Sequence, residues 1–205
     1  FVACFRRYDA TLKWVKVAGG NGPDYEPKIA VNEAATRVYV IGKSIIPKDG
    51  SKISFSESPW EVTLNINDGV AESDCGFIAC YSAKDGKLVW ARAAVANEGL
   101  YMNDVAVDTV DGKDFVYVCG SFEGEEALLY GQFSTFKLKG KGSTDLFVAK
   151  YDGEGWVKWA RSGGGTGSDE ANGIALDDHV IYTTGSFDGS SNDAIIARRV
   201  NDATE

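Results

Sequence analysis

Histidine is almost missing from this chain: His179 is the only one among 205 residues, and Met102 is the only methionine. A single imidazole cannot supply a Ser–His–Asp arrangement in each of several copies, although it could serve once, and it offers a metal no histidine cluster. His179 stands in Asp-Asp-His-Val, where a solvated hairpin residue is the favoured reading. No apolar run approaches the ~20 residues a membrane-crossing helix needs, so membrane insertion is not expected. Basic residues are in deficit, 21 against 30 acidic, for a net charge of −9. An acidic surface without a Lys/Arg cluster repels phosphate backbones, which argues against nucleic acid and against anionic membranes.

Cysteine is scarce too. Cys4, Cys75, Cys80 and Cys119 include one C-x4-C, which lacks the close paired spacing and histidine partner of a zinc site. A cysteine within a strand reads as a small buried hydrophobe. An oxidising compartment would allow a disulfide at Cys75, with a partner that spacing does not define. No N-x-[ST] sequon occurs, so glycosylation does not bear on compartment. The opening Phe1–Arg7 lacks both an initiating Met and the layout of a secretion signal, and suggests a processed or partial chain.

Glycine is plentiful, with 24 residues, many of them in Asp-Gly turns. Between the turns lie short bursts of Val, Ile, Phe, Tyr and Trp, which suit pleated, half-buried surfaces. These bursts repeat. The segment DLFVAKYDGEGWVKWARSGGGTGSDEANGIALDDHVIYTTGSF from Asp145 aligns with the one from Cys75 and with the start of the chain. A fourth copy, DAIIARRVNDATE, ends the chain. Copies are anchored near residues 1, 77, 147 and 195, at Phe1, Phe77, Phe147 and Ile195. Trp14, Trp90 and Trp159 then match, followed by Tyr39, Tyr117 and Tyr182 and by Gly42, Gly120 and Gly185. A variable period around fixed anchors means one structural unit with insertions of different length, here 43–74 and 123–144.

Each unit reads as four strands: FVAKY, VKWAR, NGIALD and VIYTTGSF. Four strands per repeat favour a β-propeller over a sandwich or barrel, with the repeated aromatics packed between neighbouring blades. The fold expected is all-β: one segment, 1–205, of β-propeller-type four-stranded repeats. It would hold about two full blades and two partial ones. Propellers close with about 4–8 blades, so the segment would be incomplete alone.

The pattern D-x-F-V-A-K-Y-D-x-x-G-x-x-x-W-A, a Gly-rich gap, G-I-A-L-D and V-Y-x-T-G-S-F resembles the SBBP (β-propeller) repeat family. The likeness runs along essentially the whole chain, best over 145–189 and next over 75–150. GSFEGEEALLYGQFSTFKLKGKGSTDLFVAK fits that family's linker, whereas 43–74 keep Phe55 and little else of it. YSAKDGKLVW is also similar to quinoprotein-type propeller repeats, which implies the two outer strands of a blade. The resemblance implies an extracellular or cell-surface protein, and a non-catalytic scaffold or adhesion module. Its partners would be other subunits or the remaining blades of its own chain.

Two further functions compete. A propeller binding glycans or another small polar ligand would expose aromatics outside the repeat core, for which Trp60 and Tyr101 are the candidates. A propeller enzyme would keep its catalytic groups in further blades, since no catalytic residue stands out here. No cofactor is expected. Asp108, Asp111 and Asp114, and Asp169 with Glu170, offer oxygens to calcium. Neither group matches D-x-[DN]-x-[DN]-G, and plain turns are favoured. SGGGTG lacks the G-K-[ST] ending of a phosphate loop.

Overall fold

The computed structural model describes residues 1–19, 24–46, 53–57, 60–64 and 73–188, and among these there is no helix. The fourth repeat copy with Ile195 lies outside the described residues. The first strands are β1 (Val2–Phe5), β2 (Leu12–Lys16), β3 (Ala18–Gly19), β4 (Asp24–Val31), β5 (Arg37–Ile46), β6 (Ile53–Glu57) and β7 (Trp60–Leu64). Next come β8 (Ser73–Ser82), β9 (Leu88–Ala96), β10 (Gly99–Val110), β11 (Lys113–Glu123), β12 (Glu126–Tyr130) and β13 (Thr135–Lys139). The last are β14 (Thr144–Asp152), β15 (Val157–Gly163), β16 (Asp169–Leu176) and β17 (Ile181–Phe187). The protein is all-β.

Pairing recurs along the chain but is offset by half a unit from the one read in the sequence. β14 and β15 join β11, whereas β16 and β17, read as the rest of the same unit, pair in a separate sheet, because each pair of strands finds its hydrogen-bonding edge on the preceding pair. β4-β5-β8-β9 form one antiparallel run, and β10-β11-β14-β15 form a second. A single parallel bridge, Gly99 to Asp74, joins the two runs. An isolated parallel bridge, Thr144 to Ser168, stands in the equivalent place between the second run and the residue that precedes β16. β1-β2 and β16-β17 pair as separate two-stranded sheets before and after. The ten-stranded mixed sheet nearly closes on itself, because its path runs from β13 to β15 and Ser162 Oγ donates to the Lys139 carbonyl at 3.0 Å.

The irregularities repeat as faithfully as the strands. β4, β10 and β16 shift register at Tyr25/Lys28, Met102/Asp104 and Ala171/Gly173. β1, β8 and β14 do so at Cys4/Phe5, Cys80/Tyr81 and Lys150/Tyr151. A bulge inserts one residue and increases local twist, so like bulges give successive sheets the same coil.

Both inserted segments contain a hairpin. β6-β7 lies between β5 and β8, and β12-β13 lies between β11 and β14. Each reaches back to an earlier strand: Ala18 of β3 pairs with Phe55, and Ala94 of β9 pairs with Leu129. Strands of only five residues separated by polar turns carry too little alternation to be read as strands from sequence.

The β5, β8 and β9 strands of the first run are buried on both faces. Tyr39, Ile41, Ile78, Cys80, Trp90 and Ala94 join the core shared with the second run. Val38, Val40, Phe77, Ala79, Ala91 and Val95 point the other way, into a core with Val2 and Phe55. Side chains alternate along a strand, so a sheet covered on both sides needs apolar residues at every position. Hence Phe77–Cys80 is a continuous apolar stretch.

The repeated glycines have a steric cause. A Cβ on Gly42 would stand 2.6 Å from the Phe77 ring, and one on Gly120 would be 2.9 Å from the Phe147 ring while running into the Tyr101 carbonyl. On Gly185 it would strike the Glu170 carbonyl.

Candidate functional site

The most developed polar construction lies where one sheet meets the next, and it is built twice. Trp14 in β2 donates its indole Nε1–H to the Ala83 carbonyl at 3.1 Å, on the turn between β8 and β9. Trp90 in β9 donates to the Gly153 carbonyl at 2.8 Å, on the turn between β14 and β15. A glycine with positive φ lies against each indole: Gly86 at +70° under Trp14 and Gly155 at +81° under Trp90. A Cβ there would be 2.7 Å and 2.8 Å from the ring's Cδ2, so only glycine satisfies both the backbone angle and the close approach.

In the second copy an arginine completes the grip. Arg92 donates from Nε to the Gly155 carbonyl at 3.1 Å and from Nη2 to the Glu154 carbonyl at 3.3 Å. Its Nη1 bonds the Ala91 carbonyl at 2.7 Å, and the guanidinium lies 5.4 Å from the Trp90 ring centroid. Three successive carbonyls of the turn, those of Gly153, Glu154 and Gly155, are thus held by one Trp-x-Arg. The turn is shaped from within: Asp152 Oδ1 accepts from the backbone N–H of Glu154 at 3.1 Å and of Trp156 at 2.9 Å.

A second polar knot joins the same sheets through Asp114. Its carboxylate accepts from the Tyr39 hydroxyl at 2.7 Å, from Thr109 Oγ1 at 2.9 Å, and from Asn32 Nδ2 at 3.0 Å and 3.2 Å. Asn32 Oδ1 in turn accepts the N–H of Thr36 and of Arg37, both at 2.9 Å. Burial, and then the bond to Asp114, push the Tyr39 hydroxyl far above the usual phenol range, so it remains a donor. Between the second and third sheets Asn103 Nδ2 donates to the Ala171 carbonyl at 3.0 Å. Asp104 accepts the Ile174 N–H at 2.9 Å, so the bulge on β10 carries that contact.

Beside these contacts runs a groove of about 1080 Å³, lined among others by Arg37, Asp114, Phe115, Lys150, Glu154 and Trp159. Lys150 is 3% exposed, with Nζ 4.0 Å from the Phe115 ring centroid. It takes the strand position that Cys80 holds one copy earlier, where Arg37 Nη1 lies 3.6 Å from the thiol. Both copies therefore bring a cation to the same place by different routes.

Tyr101, a candidate for ligand stacking, is half-buried on β10. Lys43 Nζ lies 4.2 Å over its ring and 2.8 Å from Asp74. Burial first, then the bond to Asp74, raise its hydroxyl above the usual phenol range. Trp60, the other candidate, begins β7, and its side chain lies outside the described residues. Tyr39 and Tyr117 are buried and lie beside Trp90 and Trp159, at ring-centroid distances of 6.1 Å and 6.3 Å. Tyr182, the third of the series, is 56% exposed and donates to Asp177 at 2.9 Å.

The acidic groups behave as turn and junction residues. Asp111 and Gly112 have φ of 50° and 73°, the mark of a two-residue type I′ hairpin between β10 and β11. Asp169 is buried and accepts the Gly165 N–H at 2.8 Å. No group of three or more His, Cys, Asp or Glu side chains is placed to hold a metal among the described residues. His179 is exposed, its N–H bonded to Asp177 at 2.8 Å. All four cysteines are free thiols, and all but Cys4 are buried.

The turn-gripping Trp-x-Arg was not singled out in the sequence, although a Trp followed two residues on by a basic residue recurs as Trp14-Val15-Lys16, Trp90-Ala91-Arg92 and Trp159-Ala160-Arg161. Its meaning needed the partner turn, which lies 63 residues away for both Trp90 and Arg92. No family model matches the chain, and no curated protein matches it either.

Proposed function

We propose that this chain is a segment of a β-propeller of SBBP type, acting as a non-catalytic scaffold or protein-interaction module at the cell surface or outside the cell. Each four-stranded run would be one blade, and the partners would be further blades of its own chain or other subunits. The observation that carries the reading is the recurring grip of a Trp on the next sheet's turn, combined with apolar end faces. Ile29 and Val31 on β4 are 56% and 49% exposed, and Phe1 is 84% exposed. At the other end Tyr182 and Phe187 on β17 are 56% and 63% exposed. Apolar faces of this kind mark association surfaces. A stacked repeat whose inner sheets bury both faces leaves its outermost faces in want of a neighbour.

Sedimentation equilibrium of the chain tests the reading. Reversible self-association is expected, weakened by Ile29→Glu and by Tyr182→Glu on the opposite faces. A monodisperse species of 22.0 kDa at every concentration would count against it.

A second reading, a propeller that binds glycans or another small polar ligand, draws support from the groove, which sets Phe115 and Trp159 among charged groups of both signs.

A further inference from the structure

Trp159 and Arg161 repeat the arrangement that grips a turn, and among the described residues nothing is gripped. Trp159 stands 6.3 Å from Tyr117, as Trp90 stands 6.1 Å from Tyr39. Arg161 Nη1 donates to the Ala160 carbonyl at 2.8 Å, as Arg92 Nη1 does to Ala91 at 2.7 Å. The guanidinium is therefore held from the same side in both copies. Arg92 turns its remaining donors onto Glu154 and Gly155, and Trp90 turns its indole N–H onto Gly153. The corresponding donors of Trp159 and Arg161 meet no acceptor among the described residues.

We propose that Trp159 and Arg161 form a receptor for a tight glycine-bearing hairpin turn of another protein unit of the same design. The turn would present three successive carbonyls, with a glycine of positive φ flat against the Trp159 indole. The inference rests on the interaction-module reading above and adds the chemistry of the partner. Its support is continuity with the contact already made at Trp90 and, without the arginine, at Trp14.

The glycine requirement selects among partners. The turn between β1 and β2 is the one turn of this type without a preceding sheet among the described residues. It closes through Ala10 N–H to the Arg6 carbonyl at 2.9 Å, as Gly86 N–H closes on Ser82 at 2.8 Å. Ala10, with φ 54°, holds the glycine's place there. Its Cβ would fall where Gly86 and Gly155 leave 2.7 Å and 2.8 Å to the indole. A second copy of this chain is thus the poorer occupant, and a unit with glycine at that position is the fitting one.

Indole N–H signals of the full chain, assigned with Trp159→Phe, test this. The probe is a cyclic peptide of residues 148–161, closed across the Val148–Arg161 pair. The expected result is slow hydrogen exchange at Trp14 and Trp90 and fast exchange at Trp159. Adding the peptide should shift the Trp159 signal saturably and slow its exchange. Arg161→Gln in the chain, or Gly155→Ala in the peptide, should each weaken binding about tenfold, the loss set by charged hydrogen bonds and by overpacking respectively. A Trp159 N–H already protected without peptide would mean the chain fills the receptor itself, and would overturn the proposal. A signal that does not move, or binds the alanine peptide equally well, would overturn it too. Fast exchange at Trp14 and Trp90 as well would instead sink the interaction-module reading beneath it.

Discussion

Gly155→Ala isolates the contact on which the sheet junction turns, because Gly112→Ala supplies its control. Both glycines have positive φ, +81° and +73°, so both substitutions put an L side chain into the left-handed region. That conformational cost is about 1 kcal/mol. The difference lies in the surroundings. A Cβ at position 112 meets nothing within 4 Å, whereas at 155 it lies 2.8 Å and 3.0 Å from the Trp90 ring and 3.2 Å from Arg92 Nη2. The indole is itself pinned by its bond to Gly153 and by its place in the core beside Tyr39. It cannot withdraw without losing that bond, so overpacking adds about 1–3 kcal/mol. Weakening the Trp90 and Arg92 hydrogen bonds to the turn adds about 1 kcal/mol more. Gly112→Ala should therefore lower the urea-unfolding free energy by about 1 kcal/mol, and Gly155→Ala by about 3–5 kcal/mol. If the two variants unfold within about 0.5 kcal/mol of each other, the Trp90 grip does not hold the sheets together.

Three other outcomes are expected. Tyr39→Phe keeps the ring but removes a bond to a carboxylate, and should cost about 1.5–3 kcal/mol in urea denaturation. In a double-mutant cycle most of that loss should vanish on an Asp114→Asn background. Burial pushes the Cys80 thiol up to about 11 and the Cys119 thiol to about 12, against an ordinary value of 9.0. Above pH 9.0 the unfolded chain releases protons that the fold retains, so the stability is complete below that pH and lost as pH rises through 11 and 12. The urea midpoint should fall on alkaline titration, and Cys80→Ala with Cys119→Ala should flatten the fall. A thiol-specific disulfide reagent should label one cysteine quickly in the native protein, Cys4, and all four after denaturation. Fast labelling of Cys75 would mean that its strand is not held against β5.

Much of the architecture could be read along the chain. Trp14 and Trp90 recur because each makes the same contact with a later turn, and Gly42, Gly120 and Gly185 recur because a Cβ at each would clash with a neighbouring strand. The continuous apolar run Phe77–Cys80 already implies burial on both faces, and Asp111-Gly112 is a type I′ turn by composition alone. The all-β class follows from these local features, each of which depends on residues close together in sequence.

The site was a different matter. Arg92 looks like an ordinary surface cation until Glu154 and Gly155 are brought to it, 62 and 63 residues on. Asp114 reads as one of several turn aspartates. Only the approach of β5 and its preceding turn makes it the shared acceptor for Tyr39 and Asn32, 75 and 82 residues away. The register that pairs each inserted hairpin with an earlier strand is equally hidden, since five-residue strands carry little pattern of their own. What the sequence determined by itself was the all-β class and the recurrence of its principal strands and turns, because those arise from backbone preference and short-range periodicity. What the tertiary structure decided was which turns Trp14 and Trp90 hold, because donors and carbonyls far apart along the chain become partners only once the sheets have stacked.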